Sequence, residues 1–175
     1  HVELDIRGDD GQPLPAGRQG EVCLRGPKVT RGYWRDEVRT RASFWGDWFR
    51  TGDVGYLDAE GFLYLTDRKK DMIISGGENI ASSEVERVLH QLPQVVEAAV
   101  IGVPDVRWGE RITAVVVLRA GTGLTLEELR AHCAGRLGGF KTPKQLELRD
   151  ALPRNPSGKV LKRLLRDELT NAVAT

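Results

Sequence analysis

Three short segments, far apart along the chain, hold residue types that could do chemistry. In Phe49-Arg50-Thr51-Gly52-Asp53 a carboxylate follows a glycine. An acid so placed can accept two hydrogen bonds from a vicinal diol, as acidic residues do for ribose in dinucleotide folds. An Asp after Gly is also an ordinary turn residue. The second segment runs from Asp67-Arg68-Lys69-Lys70-Asp71 to Ser75-Gly76-Gly77-Glu78-Asn79. Its adjacent cations read, by composition, as a solvated face. Its paired glycines let the backbone turn sharply or let a ligand approach closely, and one turn can do both. The third is Pro153-Arg154-Asn155-Pro156-Ser157-Gly158-Lys159. Pro153 and Pro156 stiffen this loop and Gly158 frees it at one point. A mobile cation there suits charge that builds on a phosphate during displacement. A lone lysine is otherwise a surface group, and one at a helix start is slightly disfavoured by the dipole.

The elements that must position these residues fall into two stretches. In the first, Val2, Leu4 and Ile6 alternate with charges as a half-buried strand, and Glu21 to Arg25 reads as a second. Asp9-Asp10-Gly11, with Pro13 and Pro15, is turn chemistry. Asp36 to Ser43 predicts a short polar helix. Val54–Leu57 and Phe62–Leu65 predict a hairpin closed by Asp58-Ala59-Glu60-Gly61. Tyr33, Trp34, Phe44, Trp45, Trp48 and Phe49 crowd one stretch, where packing is their default role. From Asp67 onward the pattern is that of a compact α+β domain. It comprises a short strand Met72–Ile74 and a helix from Ser82 with a Ser83–Glu86 capping box and an apolar face of Val85, Val88, Leu89 and Leu92. Strands Val95–Val103 and Ile112–Leu118 follow, the latter apolar on both faces as if covered on each side. A helix capped by Thr125 and Glu128 turns Leu126, Leu129, Cys133 and Leu137 inward. A strand Gln145–Leu148 and a helix Lys159–Thr170 with Leu161, Leu164, Leu165 and Leu169 on one face complete it. Residues 1–66 are expected to be the β-rich end of a larger domain. Residues 67–175 are expected to form a small domain with a mixed sheet, about three main strands plus a hairpin, flanked by helices.

Bulk properties exclude more than they suggest. The 26 basic and 25 acidic residues leave a net charge of +1, which gives no general case for nucleic acid or membrane binding. No apolar run reaches the ~18 residues that cross a bilayer. Cys23 and Cys133 form neither a metal pair nor a disulfide framework, and a reducing, cytoplasmic setting fits them. The sequence starts without Met inside a strand pattern, which suggests a piece of a longer protein.

In this order and at these distances, the three segments resemble the adenylate-forming superfamily of acyl-CoA synthetases, peptide-synthetase adenylation domains and beetle luciferases. Gly76-Gly77-Glu78-Asn79-Ile80, Ile101-Gly102-Val103-Pro104-Asp105 and Trp108-Gly109-Glu110 look most like the fatty-acyl and aromatic-acyl CoA ligases. The resemblance implies that Asp53 binds both ribose hydroxyls and that Arg68 contacts the ribose or phosphate side of the nucleotide. It makes Asp67 the hinge of a mobile C-terminal domain. Gly76 and Gly77 would line the pantetheine tunnel, and Trp108 would stand near its mouth. Phe140 and Lys141 would meet the nucleotide end of CoA, and Lys159 would be the lysine required for adenylation. It implies ATP and CoA as reactants, magnesium held in an upstream part not present here, and a fatty or aromatic carboxylic acid as substrate. A carboxylate would attack the α-phosphate of ATP. The domain would then rotate about Asp67, exchanging Lys159 for Gly76 and Gly77, so that the CoA thiol displaces AMP.

There are departures from the family pattern. Ala81-Ser82 replaces an aromatic–proline pair, and Thr142 stands where some relatives carry Arg. The upstream phosphate loop, adenine motif and acyl pocket are absent from these 175 residues, so the chain alone is expected not to adenylate. Two other readings stay open. One is an adenylation domain with a carrier-protein acceptor. The other is a non-catalytic module using Lys159, Lys162, Arg163 and Arg166 on an acidic partner or nucleic acid, against which the balanced net charge argues.

Overall fold

The computed structural model describes residues 1–173 and divides into two compact units, His1–Lys70 and Asp71–Thr175. The first unit is an antiparallel sheet. Its elements are β1 (Glu3–Arg7), β2 (Gly20–Arg25), helix α1 (Glu37–Ala42), β3 (Phe44–Trp45), β4 (Trp48–Leu57) and β5 (Leu63–Arg68). The order is β1-β2-β4-β3, with β5 also on β4. Asp36 caps α1 by accepting Arg39 N–H at 2.9 Å. The β4–β5 loop closes as expected, Asp58 accepting the N–H groups of Glu60 and Phe62 while Gly61 takes φ +85°. Strand β4 is longer than expected and starts at Trp48, so Asp53 lies within a strand and not in a turn.

Little apolar surface is sealed in this unit: Ile6, Val22, Cys23 and Val54 are its buried hydrophobic residues among those described. The aromatic stretch does not pack into a core. Trp48 carries the Arg7 and Arg25 guanidinium groups, Trp45 carries Arg50, and Trp34 is 87% exposed. An indole with a cation over its face can stay at the surface.

The second unit contains β6 (Ile73–Ser75), β7 (Glu78–Ile80), α2 (Ser82–Leu89), β8 (Val95–Asp105), β9 (Gly109–Leu118), α3 (Leu126–Cys133), β10 (Gln145–Leu148) and α4 (Lys162–Val173). Its sheet is ordered β10-β9-β6-β7 with β8 on β9, and the β10–β9 pair is parallel. This is the expected mixed sheet of three main strands plus a hairpin. Alternation along β9 builds two cores. Ile112, Ala114 and Val116 face α2 and α3 with Val85, Leu89, Leu129 and Cys133; Val115 faces α4 with Leu165 and Leu169. Each fully buried Leu here contributes roughly 1.5–3 kcal/mol.

Three local readings change. Helix α2 takes Ala81 and not Ser83 as its N-cap, so its cap position has no side-chain acceptor, and Glu86 accepts Val100 N–H at 2.7 Å. Helix α3 ends at Cys133, leaving Leu137 packed from the loop beyond. Helix α4 begins at Lys162, with Leu165 and Leu169 buried and Leu164 36% exposed. Lys159 is therefore not at a helix start.

Candidate functional site

In the first unit, two of the expected nucleotide ligands meet. Asp53 and Arg68 are register partners across β4 and β5, and Arg68 Nε stands 2.6 Å from Asp53 Oδ1. The segment ahead of Asp53 is braced from below. Gly52 takes φ +74°, and its N–H donates to Glu21 Oε1 at 3.2 Å. Thr51 Oγ1 donates to Val22 O at 2.8 Å and accepts Asp53 N–H at 3.0 Å. Glu21, with only 3% of its side chain exposed, also takes Arg50 at 3.1 Å and Lys69 at 3.0 Å. The run of cations is thus not a free solvated face: Arg68 holds Asp53, and Lys69 holds Asp9 and Glu21. Burial works against the Lys69 ammonium, but hydrogen bonds to Asp9 and Glu21 outweigh it and hold its pKa above the ordinary lysine value. The same hydrogen bond lowers the pKa of Asp9. Asp67 pairs with Val54 beside a β-bulge and accepts Arg68 N–H at 2.7 Å, three positions before the unit ends at Lys70. Glu21 escaped the sequence reading because an acid in an alternating strand carries the signature of an outward-facing residue.

In the second unit, Gly76 and Gly77 form the two-residue turn of the β6–β7 hairpin, with φ +62° and +83°. Two consecutive left-handed residues are what such a turn demands, and glycine meets the demand without strain. Gly76 N–H donates to Trp108 O at 2.8 Å, and a Cβ on Gly76 would lie 3.4 Å from the Trp108 ring. The glycine turn and Trp108 are therefore one feature. Arg107 and Lys144 both lie over that ring, at 4.8 and 4.6 Å. Burial, and then Arg130, lower the pKa of Lys144. Phe140 and Lys141 sit in a short 3-10 turn, Phe140 47% exposed and Lys141 bound to both oxygens of Glu84 at 2.7 and 2.8 Å. Lys141 reaches any anion with its charge already partnered.

Lys159 closes a pinned loop. Asn155 Oδ1 accepts Lys159 N–H and Ser157 O–H, each at 2.8 Å, and Asn155 N–H returns to Lys159 O at 3.0 Å. Arg154 donates to Gly158 O and pairs with Glu97 at 2.8 Å, and Gly158 takes φ +84°. The Lys159 side chain is exposed and has no bonded partner among the described residues. Its neighbours differ. Lys162 Nζ lies 2.6 Å from Glu86 and 2.7 Å from Ser82 Oγ, Arg163 lies 3.8 Å from Asp167, and Arg166 donates to Gly102 O. Lys162 and Arg166 are thus engaged within the fold, Arg163 is largely exposed with a long surface pair, and Lys159 is the cation of that group with no bonded partner among the described residues.

Residues 84–159 match the family described as AMP-binding enzyme C-terminal domain. Over 98% of its length the chain is 43% identical to a long-chain-fatty-acid–CoA ligase of Mycobacterium tuberculosis, and it spans 34% of that relative. It superposes on ATP-bound MatB from Rhodopseudomonas palustris with a TM-score of 0.90 at 38% identity, covering 98% of this chain and 34% of that one. For the amide bond synthetase McbA from Marinactinospora thermotolerans the TM-score is 0.86 at 45% identity, covering 97% and 35%. The chain thus spans about a third of the length of the proteins it matches.

Proposed function

This chain carries the C-terminal domain of the AMP-binding, adenylate-forming enzymes, and from that premise we propose that it serves an ATP-dependent acid–thiol ligase, an acyl-CoA synthetase. The observation that carries the reading is the Asp53–Arg68 pair at 2.6 Å, set on a strand braced by the buried Glu21. Arg68 engages one carboxylate oxygen and orients the other, so a ribose diol meets an acceptor of fixed direction. Lys159 supplies the unpartnered cation on a pre-shaped loop, suited to charge growing on the α-phosphate as the carboxylate attacks. After the chain turns about Asp67, Gly76 and Gly77 give backbone room for the pantetheine arm. Trp108 and Phe140 offer faces, and Lys141 a partnered charge, to the rest of CoA.

The substrate class is a fatty or aromatic carboxylic acid, chosen by residues outside this chain. In this reading magnesium belongs to the upstream part of the enzyme, outside these residues. Among the described residues no helix is long and apolar enough to cross a membrane. The free, buried Cys23 and Cys133 support our assignment of the enzyme to a reducing, cytoplasmic setting.

The test is a chimera in which this chain replaces the matching third of MatB, supplied with ATP, that enzyme's acid substrate and CoA. ATP–pyrophosphate exchange and acyl-CoA formation are expected from the chimera, and neither from the 175-residue chain alone. Robust exchange by the isolated chain would overturn the assignment of the catalytic centre. McbA, an amide bond synthetase at 45% identity, brings in an amine acceptor, and product formation with an amine but not with CoA would move the reading there.

A further inference from the structure

The β6–β7 hairpin that carries Gly76 and Gly77 has two three-residue strands, and one register pair, Ser75 with Gly109, joins it to β9. So short an edge hairpin is marginal on its own. Ile73 and Ile80 root it in the core, and beyond that packing its turn end makes two hydrogen bonds, both to Trp108-Gly109-Glu110. The first is the bond from Gly76 N–H to Trp108 O. The second is a side chain standing in for a ladder bond: Ile74 N–H, left outside the single β6–β9 register pair, donates to Glu110 Oε2 at 2.7 Å. The carboxylate that receives it is seated on Gly102. A Cβ on Gly102 would lie 2.6 Å from both Cδ and Oε2 of Glu110 and 2.9 Å from Oε1, so no other residue fits there without displacing the carboxylate.

We propose that Glu110 is a positioning residue for the thiol-accepting half-reaction: seated on Gly102 and bound to Ile74 N–H, it fixes the root of the Gly76–Gly77 turn. The proposal rests on the acyl-CoA ligase reading above. It gives a physical reason for Gly102 and Glu110 together. The role asks of the carboxylate only the two contacts just given, with Ile74 N–H and with Gly102. The carboxylate sets where the turn's backbone stands when the pantetheine arm passes it.

The experiment has two arms. In the ligase chimera, Glu110→Ala is expected to lower kcat/KM for CoA by about tenfold or more, chiefly through KM, with ATP–pyrophosphate exchange within about twofold. Glu110→Gln keeps an acceptor for Ile74 N–H and is expected to restore most of the loss. Gly102→Ala, which crowds the carboxylate from below, is expected to reproduce the Glu110→Ala pattern. In the second arm, amide hydrogen exchange on the 175-residue chain is expected to show Ile74 and Gly76 losing about tenfold in protection in Glu110→Ala and regaining it in Glu110→Gln, while β9 amides hold theirs. Equal loss of both half-reactions, no loss of either, or unchanged Ile74 exchange would overturn the proposal. If the unsubstituted chimera makes no acyl-CoA, the ligase reading fails on its own, and the exchange arm still decides whether Glu110 holds the turn.

Discussion

The two units are held together by different physics, and their candidate groups differ in the same way. In His1–Lys70 the buried apolar set is small, and a buried carboxylate, Glu21, ties β2 to Gly52, Arg50 and Lys69. Its candidate ligand Asp53 belongs to that charged lattice through Arg68. In the second unit two apolar clusters clasp both faces of β9, and charge plays little part in the core. There the candidate cation Lys159 is left without a side-chain partner, while its backbone is over-determined by Asn155, Arg154 and two prolines. A group that must recognise a fixed ligand can be paired in advance. A group that must answer charge appearing only in a transition state works best uncommitted on a rigid support.

The contrast can be broken at several points. Glu21→Ala should be the most damaging: it strands Arg50 and Lys69 around a vacated buried site and should destabilise the first unit by about 3–5 kcal/mol, read from urea midpoints. Retention of the midpoint would mean that the charged lattice is decorative. Asp53→Ala removes Arg68's partner and the diol acceptor together, and should lower kcat/KM for ATP in the chimera by roughly a hundredfold. An effect confined to CoA kinetics would place Asp53 on the wrong substrate. Asn155→Ala frees the Lys159 loop without touching its charge, and about a tenfold loss of adenylation is expected, with no change in thioester formation from preformed acyl-adenylate. No loss would show that the loop needs no pinning.

The smallest effect is a pH dependence in the buried thiols. Burial, reinforced by Glu21, pushes the Cys23 thiol up to about 11 from 9.0, and burial raises the Cys133 thiol too. The folded chain keeps Cys23 protonated where the unfolded chain would ionise. Its contribution is therefore full below pH 9 and declines as pH rises from 9 to about 11. Cys23→Ala should flatten that part of the denaturation profile, and an unchanged slope would assign the alkaline loss elsewhere.

How much of this was legible in the sequence follows from the range of the interactions. Alternation in β1, the apolar run of β9, the Thr125–Glu128 cap and the Asp58–Gly61 loop are set by neighbours a few residues apart, and the structure forms them where the sequence placed them. The start of α4 was misplaced because the bonds that pin Asn155 to Lys159 keep the chain out of the helix until Lys162. Trp48 and Trp34 look like core residues until arginines distant or adjacent in sequence are seen over their faces. The candidate groups were visible as motifs. Their supports were not, because Glu21–Gly52, Glu110–Ile74 and Lys141–Glu84 join residues 31, 36 and 57 positions apart, and no local pattern reports such contacts.

The central claim is that Lys159 and the Gly76–Gly77 turn serve separate half-reactions. It is tested most directly by measuring both half-reactions side by side in two variants of the chimera. Lys159→Ala should lose adenylation by about 10²–10³-fold while converting preformed acyl-adenylate to acyl-CoA at close to the parent rate. Gly76→Ala, strained at φ +62°, should do the reverse. If each variant impairs both half-reactions equally, the division of labour is contradicted.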